Sequence, residues 1–177
     1  MSDDFRSRAV SWSKGNHFED FQVGQIFEHH WGRTVDTSDN NLFNTLTLHF
    51  NPTYFNREYA RANGHKDTLI NPLLVFNMVL GLSVEDLSEA GGPFVGVEKL
   101  AYKNSIFAGD TITARSTTLS ARLSDSKPGF GIVSWATEGF NQHGDAVIAF
   151  ERANLVMTKA LAGQIQSARE KTAGAKS

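Results

Sequence analysis

The chain of 177 residues contains no cysteine. That excludes disulfides, thiolate metal sites and cysteine nucleophiles, and it suits a reducing cytoplasm. It also lacks an excess of either charge, with a formal net charge of -2. A nucleic-acid or anionic-membrane partner usually leaves a basic footprint, so neither is expected. The start, Met1-Ser2-Asp3-Asp4-Phe5, has no basic stretch followed by an apolar one, and does not read as a signal peptide. The longest apolar run, Leu73 to Leu82, is broken by Asn77 and Gly81 and is too short to span a bilayer. The glycines form no dinucleotide or Walker loop, and Ser83, Ser88 and Ser134 lack a Gly-x-Ser-x-Gly elbow. His29-His30 is the tempting metal pair. Adjacent strand residues face opposite ways, and no acidic cluster stands at ligand spacing, so no metal is expected.

What is present suits one soluble domain: hydrophobic content is 40% and charged content 20%. Residues 1–17 read as a flexible arm and 160–177 as a flexible tail, helical at best. The domain occupies 18–159. Ile26 to Val35 alternates loosely, with Phe27, His29, Trp31 and Arg33 on one side, and reads as a strand. Thr37-Ser38-Asp39 offers helix N-caps, and Leu42, Phe43 and Leu46 form an apolar stripe at helical spacing. After a turn at Asn51-Pro52, Tyr54 to Asn63 reads as a second short helix. Asn71-Pro72 starts a third, since Asn caps and Pro tolerates the first helical position. From Leu73 to Leu87 almost no polar face remains, so this helix should be buried, with Gly91-Gly92 ending it. Strands follow at Phe94–Tyr102, Thr111–Arg122, Phe130–Phe140 and Ala146–Lys159. Lys127-Pro128-Gly129 and Asn141 to Asp145 are their turns. Antiparallel hairpins wrapped on one buried helix give an α+β architecture.

Several stretches resemble one family. Ile106-Phe107-Ala108-Gly109-Asp110-Thr111-Ile112 is similar to the Pro-Val-x-x-Gly-Asp-Thr-Leu segment of hot-dog folds. Phe18 to Gln25, Gly32-Arg33-Thr34-Val35 and His49-Phe50-Asn51-Pro52-Thr53-Tyr54 resemble parts of the MaoC-like dehydratases, which include the (R)-specific enoyl-CoA hydratases. The resemblance covers roughly 18–159. It implies a hot-dog fold, a homodimer or dimer of dimers, an acyl-CoA thioester as ligand and no prosthetic group. In that family an Asp and a His of an Asp-x-Asn-Pro-x-His motif share a water that adds across the α,β bond, and amides at the start of the buried helix hold the thioester oxygen.

The reacting positions differ here. His49 stands at the family's Asp and Tyr54 at its His, while Asn51 and Pro52 match. At the helix start Asn71 matches one family version, and Pro72 replaces a Gly whose N–H is a candidate oxyanion donor. The expected reading is a hydratase/dehydratase. His49 would be the general base, Tyr54 and Asn51 would orient water or substrate, and Asn71, Pro72 and Leu73 would face the thioester. Each residue also has a plainer role: His49 as a hydrogen-bonded structural residue, Tyr54 as a packing aromatic, Asn51-Pro52 as a turn and Asn71 as a cap. A non-catalytic acyl-thioester-binding protein, favoured by Pro72, and a thioesterase stay open beside the hydratase. For the thioesterase, Asp67 and Glu85 are the nearest acids to the helix start. A dicarboxylic or branched acyl group would want a cation, and Arg33, Arg57, Arg61 and Lys66 lie nearest the motif.

Overall fold

The computed structural model describes residues 14–174. Expectations for residues 1–13 and 175–177 lie outside the described residues.

Four long antiparallel strands make the body: β3 (Phe94–Tyr102), β4 (Thr111–Leu123), β5 (Phe130–Phe140) and β6 (Ala146–Met157). Two short strands, β1 (Ile26–Glu28) and β2 (Arg33–Thr34), both pair with β4. The main sheet runs β1-β4-β5-β6-β3, so β3 forms one edge. Alternation sets its two faces: Ile112, Ala114, Ser116 and Thr118 of β4 are buried in turn. They face the helix α3 (Pro72–Leu82), around which the sheet wraps in the expected α+β hot-dog arrangement. The approach is close at Gly139 of β5, where an added Cβ would lie 2.6 Å from Val79 of α3.

Several elements depart from the sequence reading. The strand expected over 26–35 is split. Five steps of chain from Glu28 to Arg33 oppose three from Arg115 to Ile112, so two residues leave the ladder. His29 turns inward at that break. The first helix, α1 (Thr37–Leu46), is capped by Asp36, one residue before the expected caps, in a capping box with Asp39. Its apolar stripe is inverted: Leu42 and Leu46 are 61% and 73% exposed, while Asn40 and Asn44 are buried. The amides win the interior because partners wait for them there. Tyr54 ends a short 3-10 turn (Pro52–Tyr54), and α2 is only Arg57–Ala62, capped by Asn56.

The long apolar helix ends at Leu82 rather than Leu87. Ser83 donates its hydroxyl back to the Leu80 carbonyl at 2.7 Å, and a separate turn, α4 (Val84–Leu87), follows. Nor is α3 buried on all sides: Val75 and Val79 are sealed, but Leu73 is 44% exposed. The tail expected to be flexible forms a further helix, α5 (Lys159–Gly174), over its described part. Its entry is tied down by the Lys159 N–H donating to Glu19 at 2.9 Å. No helix among the described residues is long and apolar enough to cross a membrane.

The interior divides into two apolar clusters. One joins α3 to Val35, Ile70, Ile106 and the hairpin of β6; the other joins Phe21, Leu87, Val133, Trp135 and Val156.

Candidate active site at the start of the central helix

The N-terminus of α3 is bound to α1 by amide side chains. Asn71, 0% exposed, accepts the Leu73 N–H through Oδ1 at 2.9 Å. That bond fixes which way its amide points. Its Nδ2 then donates to Asn44 Oδ1 at 2.7 Å and meets His49 Nδ1 at 3.1 Å. Its backbone N–H donates to Asn40 Oδ1 at 2.8 Å. Asn40 Nδ2 in turn donates to the Tyr54 and Leu69 carbonyls. Asn40 and Asn44, one helical turn apart on α1, thus hold the cap of α3 from the same face.

His49 follows α1 through a strained turn. Leu48 has φ 56°, a left-handed position usually given to Gly. The turn lets the His49 N–H donate to the Asn44 carbonyl at 2.9 Å. The His49 ring stands edge-on to Tyr54, with centroids 5.3 Å apart. Because Asn71 presents an N–H, His49 Nδ1 is the acceptor, and the neutral ring carries its proton on Nε2. The one basic nitrogen is therefore engaged.

Tyr54 borders a cleft of about 260 Å³ with Ile70, Pro72, Val75, Tyr102 and Lys103. Burial raises the Tyr54 phenol above its ordinary value. Burial, and then the nearby Tyr54, raises Tyr102 likewise. Both are neutral hydroxyls at pH 7.

Of the sequence candidates, the structure brings His49, Tyr54, Asn71, Pro72 and Leu73 to one end of α3. Asn51 stands apart in function: exposed, it accepts the Thr53 N–H through its side chain at 3.1 Å, as a turn residue. The first-turn amides of α3 are spoken for. Pro72 has none, Leu73 donates to the Asn71 side chain, and Leu74 and Val75 both donate to the Asn71 carbonyl. The donor left over is Asn44 Nδ2, buried with no hydrogen-bond partner. Asn40 and Asn44 escaped the sequence reading, although two Asn four residues apart on a helix were there to notice. Tyr102 and Lys103 escaped it because no sequence spacing ties the end of β3 to the motif.

The acids considered for thioester hydrolysis are engaged elsewhere. Asp67 holds Arg57 at 2.8 Å, and Glu85, beyond the far end of α3, accepts from Trp31 Nε1 at 2.9 Å. Among the described residues no three His, Asp or Glu side chains gather as a metal site.

A second polar group lies near the other end of α3. Burial lowers the pKa of His29, which contacts Asp86 through Nδ1 at 2.6 Å and Ser116 Oγ through Nε2 at 2.9 Å. Ser116 continues to Thr137 at 2.8 Å. This carboxylate–imidazole–hydroxyl order is that of a nucleophilic triad. Yet Ser116 is 1% exposed, so no substrate reaches it.

The sequence matches the family model described as mesaconyl-CoA hydratase over residues 3–176. It is 31% identical over 155 residues to the mesaconyl-CoA hydratase of Haloarcula hispanica, an alignment covering 87% of this chain and 43% of that protein. The chain thus spans under half the length of that relative. Among solved structures, it resembles the putative MaoC domain protein dehydratase from Chloroflexus aurantiacus, with TM-score 0.79 and 26% identity, covering 85% of this chain and 43% of the other. A conserved hypothetical protein of Mycobacterium tuberculosis with a double hotdog fold shares the fold, with TM-score 0.74 and 19% identity over 82% of this chain and 45% of the other.

Proposed function

The chain belongs to the mesaconyl-CoA hydratase family of MaoC-like hot-dog proteins, and from that premise we propose that it is an acyl-CoA hydratase/dehydratase. Water would add its hydroxyl to the β-carbon of an enoyl thioester and a proton to the α-carbon, or leave by the reverse path. The observation that carries the reading is the Asn71 cap, held by Asn40, Asn44 and His49 beside the Tyr54-lined cleft. Such a packed amide network keeps polar groups oriented before the ligand arrives.

The roles differ from the sequence expectation at one point. His49 offers Nε2–H as a donor while Asn71 occupies Nδ1, so it orients water or polarises the carbonyl. It serves as general base only when Asn71 Nδ2 releases Nδ1. Tyr54, its phenol pKa raised by burial, stays protonated and can donate a hydrogen bond. The CoA is part of the substrate, and no metal or prosthetic group enters the reaction. A homodimer or dimer of dimers completes this reading, because the β3 edge leaves Phe94 and Val95 more than half exposed. We place its action in the cytoplasm.

Loss of enoyl-thioester absorbance on straight, branched and dicarboxylic enoyl-CoAs tests the reading, with His49→Ala beside wild type. Turnover that His49→Ala abolishes supports it; turnover undiminished by His49→Ala removes His49 from the mechanism. A second reading, a non-catalytic acyl-thioester binder, is favoured by the engaged first-turn amides of α3. Tight binding of saturated acyl-CoAs without turnover of any enoyl-CoA would select it.

A further inference from the structure

The cations that sequence proximity put forward are occupied. Arg33 pairs with Asp39 at 2.8 Å, Arg57 with Asp67 at 2.8 Å and Arg61 with Glu58 at 3.4 Å. Lys66 lies over the Phe107 ring, 4.2 Å from its centroid. A different cation borders the cleft. Lys103, immediately after β3, is the one charged residue among those lining it, and no carboxylate lines it. Its backbone is fixed by the Lys103 N–H donating to the Val147 carbonyl at 2.9 Å. Among the described residues its ammonium pairs with no acid. The neighbouring Asn104 cannot substitute for it, since its amide donates to the Ala146 carbonyl at 2.7 Å.

We infer that Lys103 is a specificity-determining residue, whose ammonium binds a carboxylate carried by the acyl group of the thioester. The inference rests on the thioester reading above. Three features point to the acyl carboxylate rather than the phosphates of CoA. The cleft, about 260 Å³, is smaller than the roughly 300–1,000 Å³ that holds a drug-sized ligand. It has room for a short acyl head, while the pantetheine arm carries the phosphates away from it. Tyr54 and Tyr102 line the same cleft; both are neutral phenols near pH 7, with burial raising them further, so they offer an anion hydrogen bonds without repelling it. The apolar part of the lining, Leu69, Ile70, Val75 and Val147 among it, suits the carbon chain between carboxylate and thioester. A charge-assisted contact there discriminates against a ligand lacking the carboxylate.

The test is binding, so that it does not depend on turnover. The full chain, as wild type, Lys103→Met and Lys103→Arg, is titrated calorimetrically with four saturated, unreactive thioesters. These are methylsuccinyl-CoA, butyryl-CoA and the pantetheine thioester of each acid. Lys103→Met keeps most of the aliphatic stem and removes the charge. The expected result is a loss of about tenfold or more for both carboxylated ligands. Both butyryl ligands should stay within about twofold, and Lys103→Arg should recover most of the loss. A loss following CoA rather than the carboxylate would make Lys103 a phosphate contact and overturn the assignment. So would an equal loss on all four, or none. A wild type that binds none of the four overturns the thioester reading itself, and this assignment with it.

Discussion

The N-terminal end of α3 and the region beyond its C-terminal end are both polar, yet they are built on opposite principles. The first is a network of amides, three Asn side chains and an imidazole engaged at Nδ1. One buried donor there, Asn44 Nδ2, has no partner among the described residues, and the flanking Ile70 and Pro72 line an open cleft. At the second, charges are sealed inside. Arg152 is 2% exposed, donates to the Ser83 carbonyl at 3.3 Å and lies over the Trp135 ring. Burial alone brings it down to about 10. His29 and Asp86 pair next to it. An amide network behind the wall of a cleft keeps that wall oriented for a ligand. A cation buried in the packing, as Arg152 is, is a structural commitment, favouring one packing of the sheet on the helix.

The comparison breaks most visibly if Asn71 fails to matter. Asn71→Ala removes the cap and leaves Asn44 and His49 without their partner. Stability should fall by about 2–3 kcal/mol, read as a shift of denaturation midpoint. Thioester turnover should drop by about a hundredfold. Near-normal turnover would detach the amide network from function.

Asp86→Ala should do the reverse, costing about 1–3 kcal/mol by leaving the buried His29 Nδ1 unpaired, with turnover per folded molecule unchanged. His29 also makes stability pH-dependent. Its folded pKa is depressed, so the unfolded chain takes up the proton first. Stability is whole above the ordinary histidine range, near 6.5, and is lost as pH falls through it. In His29→Gln that part of the acid slope should vanish; an unchanged slope would assign it to other groups.

Arg152→Met gives the smallest change and the sharpest distinction. A buried cation with no carboxylate partner among the described residues is replaceable by an apolar side chain of similar length. Stability should hold, or rise by up to about 1 kcal/mol. A large loss would mean that the guanidinium holds the break at Ser83 in place.

The strands were legible in the sequence because β5 alternates throughout, β4 does so over its first half, and their turns carry Gly129 and the Asn141–Asp145 loop. The motif placed His49, Tyr54 and Asn71 near one another before any coordinates. Periodicity failed at α1, where it put Leu42 and Leu46 inside. Hydrophobicity ranks side chains one by one, whereas burial there was decided by Asn40 and Asn44 each finding partners across the fold. It failed again at 26–35, because strand pattern says nothing of a register mismatch with β4.

The sequence by itself determined the α+β class, the order of elements, the capped start of α3 and the absence of an amide at Pro72, all consequences of local backbone chemistry. Only the tertiary structure decided which nitrogen of His49 is occupied, that Arg33, Arg57 and Arg61 are neutralised, and that Lys103 borders the cleft. Those outcomes depend on distances between residues far apart in the chain. No local pattern encodes them, because they are fixed only when the sheet closes on the helix.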